Sequence, residues 1–314
     1  MMWGDKPYYS FSHMLQERFG EKVYKVALNG GMSCPNRDGH IDTRGCIFCS
    51  AGGSGDFAAD AALSITEQID RQAEQISRKR PVQKYIAYFQ AYTNTYAPVD
   101  YLEKIFTEAV EHPKVVALSI GTRPDCLGPD VIALLARLNQ IKPVWVELGL
   151  QTIHPVTAAY IRRGYELDCF ETAVKDLRAN QLEVIVHTIL GLPGETKDHV
   201  LATLDYLNRQ PIQGIKMQLL HVLKGTDLAA DYNNGLFSVM TQEDYLDLLI
   251  DCIEHLDPHI VIHRLTGDGP RALLVAPLWS SAKKTVLNQL HRTMKERGAY
   301  QGRRLCQTDK HSTN

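Results

Sequence analysis

At 314 residues, with 44% hydrophobic and 22% charged side chains, the chain can bury one large α/β barrel or two smaller domains, and no low-complexity tract or repeat marks it as disordered or solenoidal. Residues 1–20 carry Asp5, Lys6, Glu17 and Arg18 without an apolar run of signal-peptide length, and no later stretch approaches the ~20 apolar residues of a membrane span, so a cytoplasmic protein with no membrane partner is expected. The formal charge of -2 hides an asymmetry: residues 279–314 hold eight Lys or Arg against Glu296 and Asp309, a local +6 on a body of -8, which points either to a polyanionic partner or to a solvated terminal helix.

Strand and helix patterns alternate along the chain. The first strand is expected over 23–28, ahead of a long Gly- and Pro-containing loop and a helix near 65–75. Residues 84–89 (KYIAYF) are rich in β-branched and aromatic side chains and predict the second strand. Apolar residues at helical spacing over 100–111, after Pro98, predict the helix that follows. The series continues with strand 115–120, helix 129–138, strand 144–150, helices near 155–161 and over 169–180, strand 182–190, helix 197–208, strand 214–220, helix 243–255 and strand 259–265. Such alternation belongs to a parallel sheet with crossover helices. The expected fold is α/β, a partial (β/α) barrel of about six to seven parallel strands, with a lead-in over 1–20, the barrel over 21–272 and a basic C-terminal extension over 273–314.

Seven cysteines, an odd number in a long chain without a secretion signal, argue for thiolate ligands or buried thiols over a disulfide framework. Cys34, Cys46 and Cys49 are bunched in the loop after the first strand. Four thiolates fill every iron of a [4Fe-4S] cube, so three leave one iron without a protein ligand, and an open coordination position is where a metal site does chemistry. The competing reading is structural zinc, with His40 completing a Cys3His site. Cys126, Cys169, Cys252 and Cys306 read as ordinary buried or partly buried thiols.

The spacing Cys34-x11-Cys46-x2-Cys49, with Phe48 just before the third cysteine, resembles the cluster loop of the radical S-adenosylmethionine (SAM) superfamily. The usual first gap there is three residues. An eleven-residue gap resembles the Elongator catalytic-subunit branch, and CPNRDG followed by GCIFC is similar to its small bacterial relatives of the YtqA/YhcC type. Three further stretches at expected strand ends resemble elements of that branch: 119–125 (SIGTRPD), 146–152 (VELGLQT) with Arg163-Gly164, and 187–195 (HTILGLPGE). The likeness spans roughly 19–271, and catalytic groups of β/α barrels sit at the C-terminal ends of strands.

The resemblance implies a [4Fe-4S] cluster on Cys34, Cys46 and Cys49, with SAM chelating the open iron and being split to methionine and a 5'-deoxyadenosyl radical. Gln90, Thr93 and Asn94 stand where family members present acceptors to the SAM amino group, and Gln151 where the ribose is held. Gly191, Leu192, Pro193 and Gly194 would let the backbone approach the adenine. His187, His221 and His263 fall on strands or strand ends that face the expected barrel mouth. Lys216 and Arg264 are cations on predicted strands, and burial requires them to pair with Glu147 or to meet an anionic ligand. Arg123 and Asp125 either have a local role, pairing with each other or capping the following helix, or serve the site. Tyr92 and Tyr96 are candidates to stack on a base or on adenine, against plain core packing.

Elongator-branch enzymes act on the wobble uridine of tRNA. The resemblance therefore implies tRNA as a partner, bound through the basic extension, and an electron donor such as flavodoxin or ferredoxin. The reaction expected is conversion of the 5-carboxymethylaminomethyl side chain to 5-aminomethyl. Hydrogen is taken from the methylene beside the carboxylate, oxidation to an imine and hydrolysis release the amine, and Arg123, Lys216 or Arg264 holds the carboxylate. The chain has no room for the acetyltransferase domain of Elongator subunits, so acetyl-CoA chemistry is not expected. Two alternatives stay open: a radical SAM enzyme acting on a small porphyrin-like carboxylate, and a zinc-held RNA-binding module.

Overall fold

The structure, a computed structural model, describes residues 2–53, 55–267 and 269–305. Its elements run in chain order α1 (Phe11–Phe19), β1 (Tyr24–Leu28), α2 (Ile65–Ser77), β2 (Tyr85–Phe89), α3 (Val99–Glu111), β3 (Val115–Thr122), α4 (Pro129–Asn139), β4 (Val144–Gln151), α5 (Pro155–Tyr160), α6 (Leu167–Ala179), β5 (Glu183–Leu190), α7 (Lys197–Asn208), β6 (Gly214–Leu219), β7 (Val222–Leu223), α8 (Asp227–Asn233), α9 (Gln242–His255), β8 (Val261–Arg264), β9 (Leu274–Ala276) and α10 (Lys283–Arg297). Seven parallel strands form one sheet in the order β1-β2-β3-β4-β5-β6-β8, the topology of a partial (β/α) barrel, while β7 and β9 make an antiparallel pair. Among the described residues no helix is long and apolar enough to cross a membrane.

The chain divides into two compact units. The first comprises Leu15–Gly149 with Arg162–Val186. Its strands are covered on both faces, which is why β2 is buried at every residue and reads as a continuous apolar run. Helix α3 buries Leu102, Ile105, Phe106, Ala109 and Val110, the three- and four-residue spacing of an amphipathic helix, and Phe106 meets Phe89 of β2 edge-on at 5.0 Å. A polar layer crosses this apolar sheet. Glu147 of β4 accepts from Lys25 Nζ of β1 at 2.7 Å and from Ser119 Oγ of β3 at 2.6 Å, and the Lys25 ammonium lies 4.2 Å from the Tyr88 ring centroid.

The second unit comprises the N-terminal residues through Met14, Leu150–Ile161 and the chain from His187 onward. The lead-in is more ordered than its composition suggests: Ser10 bridges Ile262 of β8 in parallel, with the Ile262 N–H donating to Tyr9 O at 2.8 Å, before α1 begins. The strand expected over 259–265 shortens to β8 because Asp257 Oδ1 accepts the His259 N–H at 2.8 Å, a turn that occupies the residues before it. The basic extension folds as α10, with Val286, Leu290 and Met294 buried and Gly298 ending it at φ 60°. Arg297 then pairs with Asp247, Arg303 with Glu254, and Arg304 with both Asp251 and Glu254, so three of the extension's eight cations are engaged by α9. Lys284, Arg292 and Lys295 stay exposed on α10. Residues 306–314, including Cys306 and Lys310, lie outside the described residues.

Candidate active site

In the first unit the cysteine loop closes on itself through backbone hydrogen bonds. Cys34 O accepts from the N–H groups of Arg37 (2.8 Å) and Asp38 (3.2 Å), Pro35 O from Ile41 (2.8 Å), Asn36 O from Gly45 (2.7 Å) and Cys46 O from Cys49 (3.0 Å). The eleven-residue gap between the first two cysteines is thus a folded excursion that returns to its origin. Arg37 fastens the return, because its Nη2 donates to the carbonyls of Cys49 (3.0 Å) and Ser50 (2.7 Å). Gly45, at φ 77°, leaves space that a Cβ would fill 2.8 Å from Arg37 Nε.

The three thiols are free and half-buried. Cys46 and Cys49 share a hydrogen bond, and that bond, with Arg123, Asn36 and Arg37, holds the Cys46 thiol below the ordinary thiol range against the opposing effect of burial. Cys49 is pushed up by the same bond and by burial. A thiolate with N–H and guanidinium groups near it is the donor set an iron-sulfur cluster takes. Among the described residues no three or more His, Cys, Asp or Glu side chains are drawn in round one ion; a cube is a larger object and sets its thiolates farther apart. His40, the proposed fourth zinc ligand, is exposed with its ring 6.4 Å from that of Tyr96.

Behind the loop lie residues 162–165. Asn36 Nδ2 donates to Arg162 O at 2.8 Å, and Arg123 Nη1 donates to Arg163 O at 2.8 Å. Arg123 is 9% exposed and grips Asp125 in a two-pronged pair (Nε–Oδ1 2.9 Å, Nη2–Oδ2 2.6 Å), so of the two sequence readings the internal pair is the one present. The Tyr165 ring lies against the guanidinium groups of Arg123 (5.3 Å) and Arg163 (4.5 Å). Gly164, at φ 80°, has space for a hydrogen only: a Cβ there would meet Asn36 Oδ1 at 2.6 Å and Ile41 Cγ2 at 3.2 Å. Gly164→Ala is therefore expected to cost about 1–2 kcal/mol from the left-handed backbone alone, plus the displacement of Asn36, read as a lower urea midpoint at unchanged m.

The segment after β2 joins the same loop. Thr93 N–H donates to Ser33 O at 3.2 Å, Tyr92 N–H to Gly53 O at 2.8 Å, and the Tyr92 hydroxyl to Ala51 O at 2.5 Å, which commits Tyr92 to holding the loop. Gln90 is half-buried and Thr93 buried. Asn94 donates through Nδ2 to Phe89 O (3.1 Å) and Gly121 O (2.8 Å), while its Oδ1 is buried without a hydrogen-bond partner. An orphaned acceptor of that kind suits an ammonium group. Beside the loop a cavity of about 690 Å³ is lined by residues including His40, Tyr96, Asp125 and Cys126, whose thiol is pushed up to about 12 by burial and by Asp125.

The second unit carries the other sequence-predicted residues. Gln151 holds φ 63° at the end of β4. Lys216 of β6 is 2% exposed and sits opposite Arg264 of β8, and Arg264 Nη1 donates to Gln218 Oε1 at 3.2 Å. Thr188, next to His187 on β5, donates through Oγ1 to Lys216 O at 3.3 Å, so His187, Lys216 and Arg264 are on neighbouring strands. Gly191, Leu192, Pro193 and Gly194 form a turn with φ 85° at Gly191 and 82° at Gly194, and they line a cavity of about 790 Å³ with Met240 and Phe237. His263 is stacked on Phe11 at 4.2 Å, which gives it a packing role.

Sequence reasoning gave Asn36, Arg37 and Tyr165 no role. Their contacts reach from one end of the first unit to the other, and only the CPNRDG and Arg163-Gly164 stretches marked the two ends.

The family model described as "Radical SAM superfamily" matches residues 43–207, and that described as "Radical_SAM C-terminal domain" matches 212–296. The chain is 44% identical over 299 residues to "Uncharacterized protein YtqA" of Bacillus subtilis (strain 168), covering 95% of this chain and 93% of that one. It is 39% identical over 289 residues to "Protein YhcC" of Escherichia coli (strain K12), covering 92% of each. A more distant relative, "tRNA uridine(34) acetyltransferase" of Dehalococcoides mccartyi (strain CBDB1), is 27% identical over 186 residues, 58% of this chain and 40% of that protein. The solved structure "The archaeal Methanocaldococcus infernus Elp3 with N-terminus deletion (1-46)" superposes with a TM-score of 0.65 at 18% identity over 89% of this chain and 64% of that one, a likeness of fold in which this chain spans less than two thirds of the other.

Proposed function

Because this chain belongs to the radical SAM superfamily, whose members work with a [4Fe-4S] cluster and SAM, we propose that Cys34, Cys46 and Cys49 hold that cluster and that the substrate is the 5-carboxymethylaminomethyl side chain of a tRNA wobble uridine, converted to 5-aminomethyl. When bound, the cluster and SAM supply a 5'-deoxyadenosyl radical that takes a hydrogen atom from the substrate. The observation that carries the reading is the self-closed loop that bears all three free cysteines.

Each of the other residues has a separate task. Asn94 Oδ1, buried and unpartnered, accepts from the SAM ammonium, with Gln90 and Thr93 beside it in sequence. Gln151 takes the ribose hydroxyls, and the left-handed turn from Gly191 to Gly194 brings backbone to the adenine where a side chain would block it. Lys216 and Arg264, on neighbouring strands with His187, offer cations to a substrate carboxylate. Arg123, already committed to Asp125 and Arg163 O, supports the cluster loop in place of the carboxylate role. The wobble-uridine assignment draws on the tRNA uridine(34) acetyltransferase relatives, and flavodoxin or ferredoxin is the class of electron donor it requires.

Anaerobic reconstitution is expected to give a brown protein with about four irons, which after reduction converts SAM to 5'-deoxyadenosine; a colourless protein with one zinc would remove the reading. Nucleoside mass spectrometry of tRNA from a deletion strain tests the substrate: the carboxymethylaminomethyl nucleoside should accumulate. An unchanged profile alongside SAM cleavage would turn the assignment to a small carboxylated metabolite.

A further inference from the structure

We propose that Asn36 tunes the reduction potential of the iron-sulfur site by donating an N–H···S hydrogen bond to Cys46, and that residues 162–164 hold its amide in that orientation. The inference rests on the cluster assignment made above. Asn36 is 1% exposed, and its Nδ2 faces three acceptors: Arg162 O at 2.8 Å, Arg163 O at 3.4 Å and Cys46 Sγ at 3.5 Å. The amide cannot turn over, since exchanging its nitrogen and oxygen would set Oδ1 against two carbonyl oxygens. The nitrogen must face those carbonyls, and the sulfur lies within its reach on the same side.

The backbone that supplies the carbonyls is held in an uncommon shape. Arg162 has φ 56° and Gly164 φ 80°, and this turns the carbonyls of 162 and 163 toward Asn36. On the opposite side of the amide, Asn36 Oδ1 is buried without a hydrogen-bond partner, facing Gly164, where a Cβ would come within 2.6 Å. A buried acceptor left without a donor costs free energy and calls for an explanation. Here the explanation is that the other end of the same amide is aimed at a ligand sulfur.

A hydrogen bond to a cluster sulfur stabilises the reduced state, which carries one more negative charge, and so raises the potential; burial strengthens the effect. Arg37, the next residue, directs its Nη2 to the Cys49 and Ser50 carbonyls and serves loop shape instead. Asn36 is thus a positioning residue acting through Cys46, linking the CPNRDG stretch to the Arg163-Gly164 element through one side chain.

The test is an EPR-monitored redox titration of the reconstituted full-length protein. Asn36→Ala should move the midpoint to more negative values, with the reduced-to-oxidised ratio at a fixed ambient potential falling about tenfold, equivalent to about 59 mV for a one-electron couple. A midpoint equal to that of the wild type, at equal iron content, overturns the proposal and leaves the cluster assignment standing. Should the variant fail to assemble a cluster, wild-type protein carrying 15N-labelled asparagine decides the matter. A 15N coupling to the reduced cluster in pulsed EPR supports the bond, and its absence overturns it. A wild-type protein that takes up no iron would overturn the underlying assignment together with this inference.

Discussion

Cys34→Ala, Cys46→Ala and Cys49→Ala should each leave a protein that folds but retains far fewer than about four irons and forms 5'-deoxyadenosine at least about a hundredfold more slowly than the wild type, since loss of a direct ligand exceeds the ~10–100-fold typical of outer partners. Folding should survive because the loop is closed by backbone hydrogen bonds that need no sulfur: Arg37 N to Cys34 O, Gly45 N to Asn36 O and Cys49 N to Cys46 O. The urea midpoints of the metal-free variants should therefore lie close to that of the metal-free wild type. Cys252→Ala serves as the control. Its thiol is fully buried in α9 and pushed up by burial and by Asp251, so it behaves as a small apolar side chain and its removal should cost core packing without iron. Iron content and nucleoside formation unchanged in any one of the three variants would sink the cluster assignment.

The parts legible in the sequence are those in which one short stretch carries its own physical signal. Strand β2 was readable because a parallel strand covered on both faces is a nearly continuous apolar run, and α3 because its buried residues recur at three and four. The cysteine loop was readable because its three ligand candidates fall within sixteen positions. What escaped is what depends on distant partners. The two-residue strand β7 is too short for any period and exists only because β9, some fifty residues on, pairs with it. Of the extension's four arginines, Arg297, Arg303 and Arg304 counted toward a surface for a polyanion, and the sequence did not say that α9 meets these three with Asp247, Asp251 and Glu254. The Asn36 contact to residues 162 and 163 spans more than a hundred positions, and no local pattern encodes it. The Arg163-Gly164 stretch marked the element without saying that Asn36 stood in front of Gly164.

Glu147→Leu should lower the unfolding free energy by about 2–3 kcal/mol, the second large effect. Glu147 is 1% exposed, and its carboxylate receives Lys25 and Ser119 from two other strands of the first unit. Removing one member of a buried pair costs about 3–5 kcal/mol, because the other charge keeps its desolvation penalty. Lys25 retains 21% side-chain exposure and rests on the Tyr88 ring, which places the loss at the low end. Leucine, similar in volume, returns roughly 1 kcal/mol of apolar burial, and the difference is the expected figure. Glu147→Gln keeps an acceptor for Lys25 and Ser119 and should lose only about 1 kcal/mol. The measurement is urea denaturation of the metal-free protein, where a lower midpoint at unchanged m reports stability alone. Lys25 is the second residue of β1 and the cysteine loop begins beyond the strand's end at Leu28, so Glu147→Gln should also retain its iron. A Glu147→Leu protein as stable as the wild type would mean that the polar layer across β1, β3 and β4 holds nothing together, and that Lys25 finds equal solvation without the carboxylate.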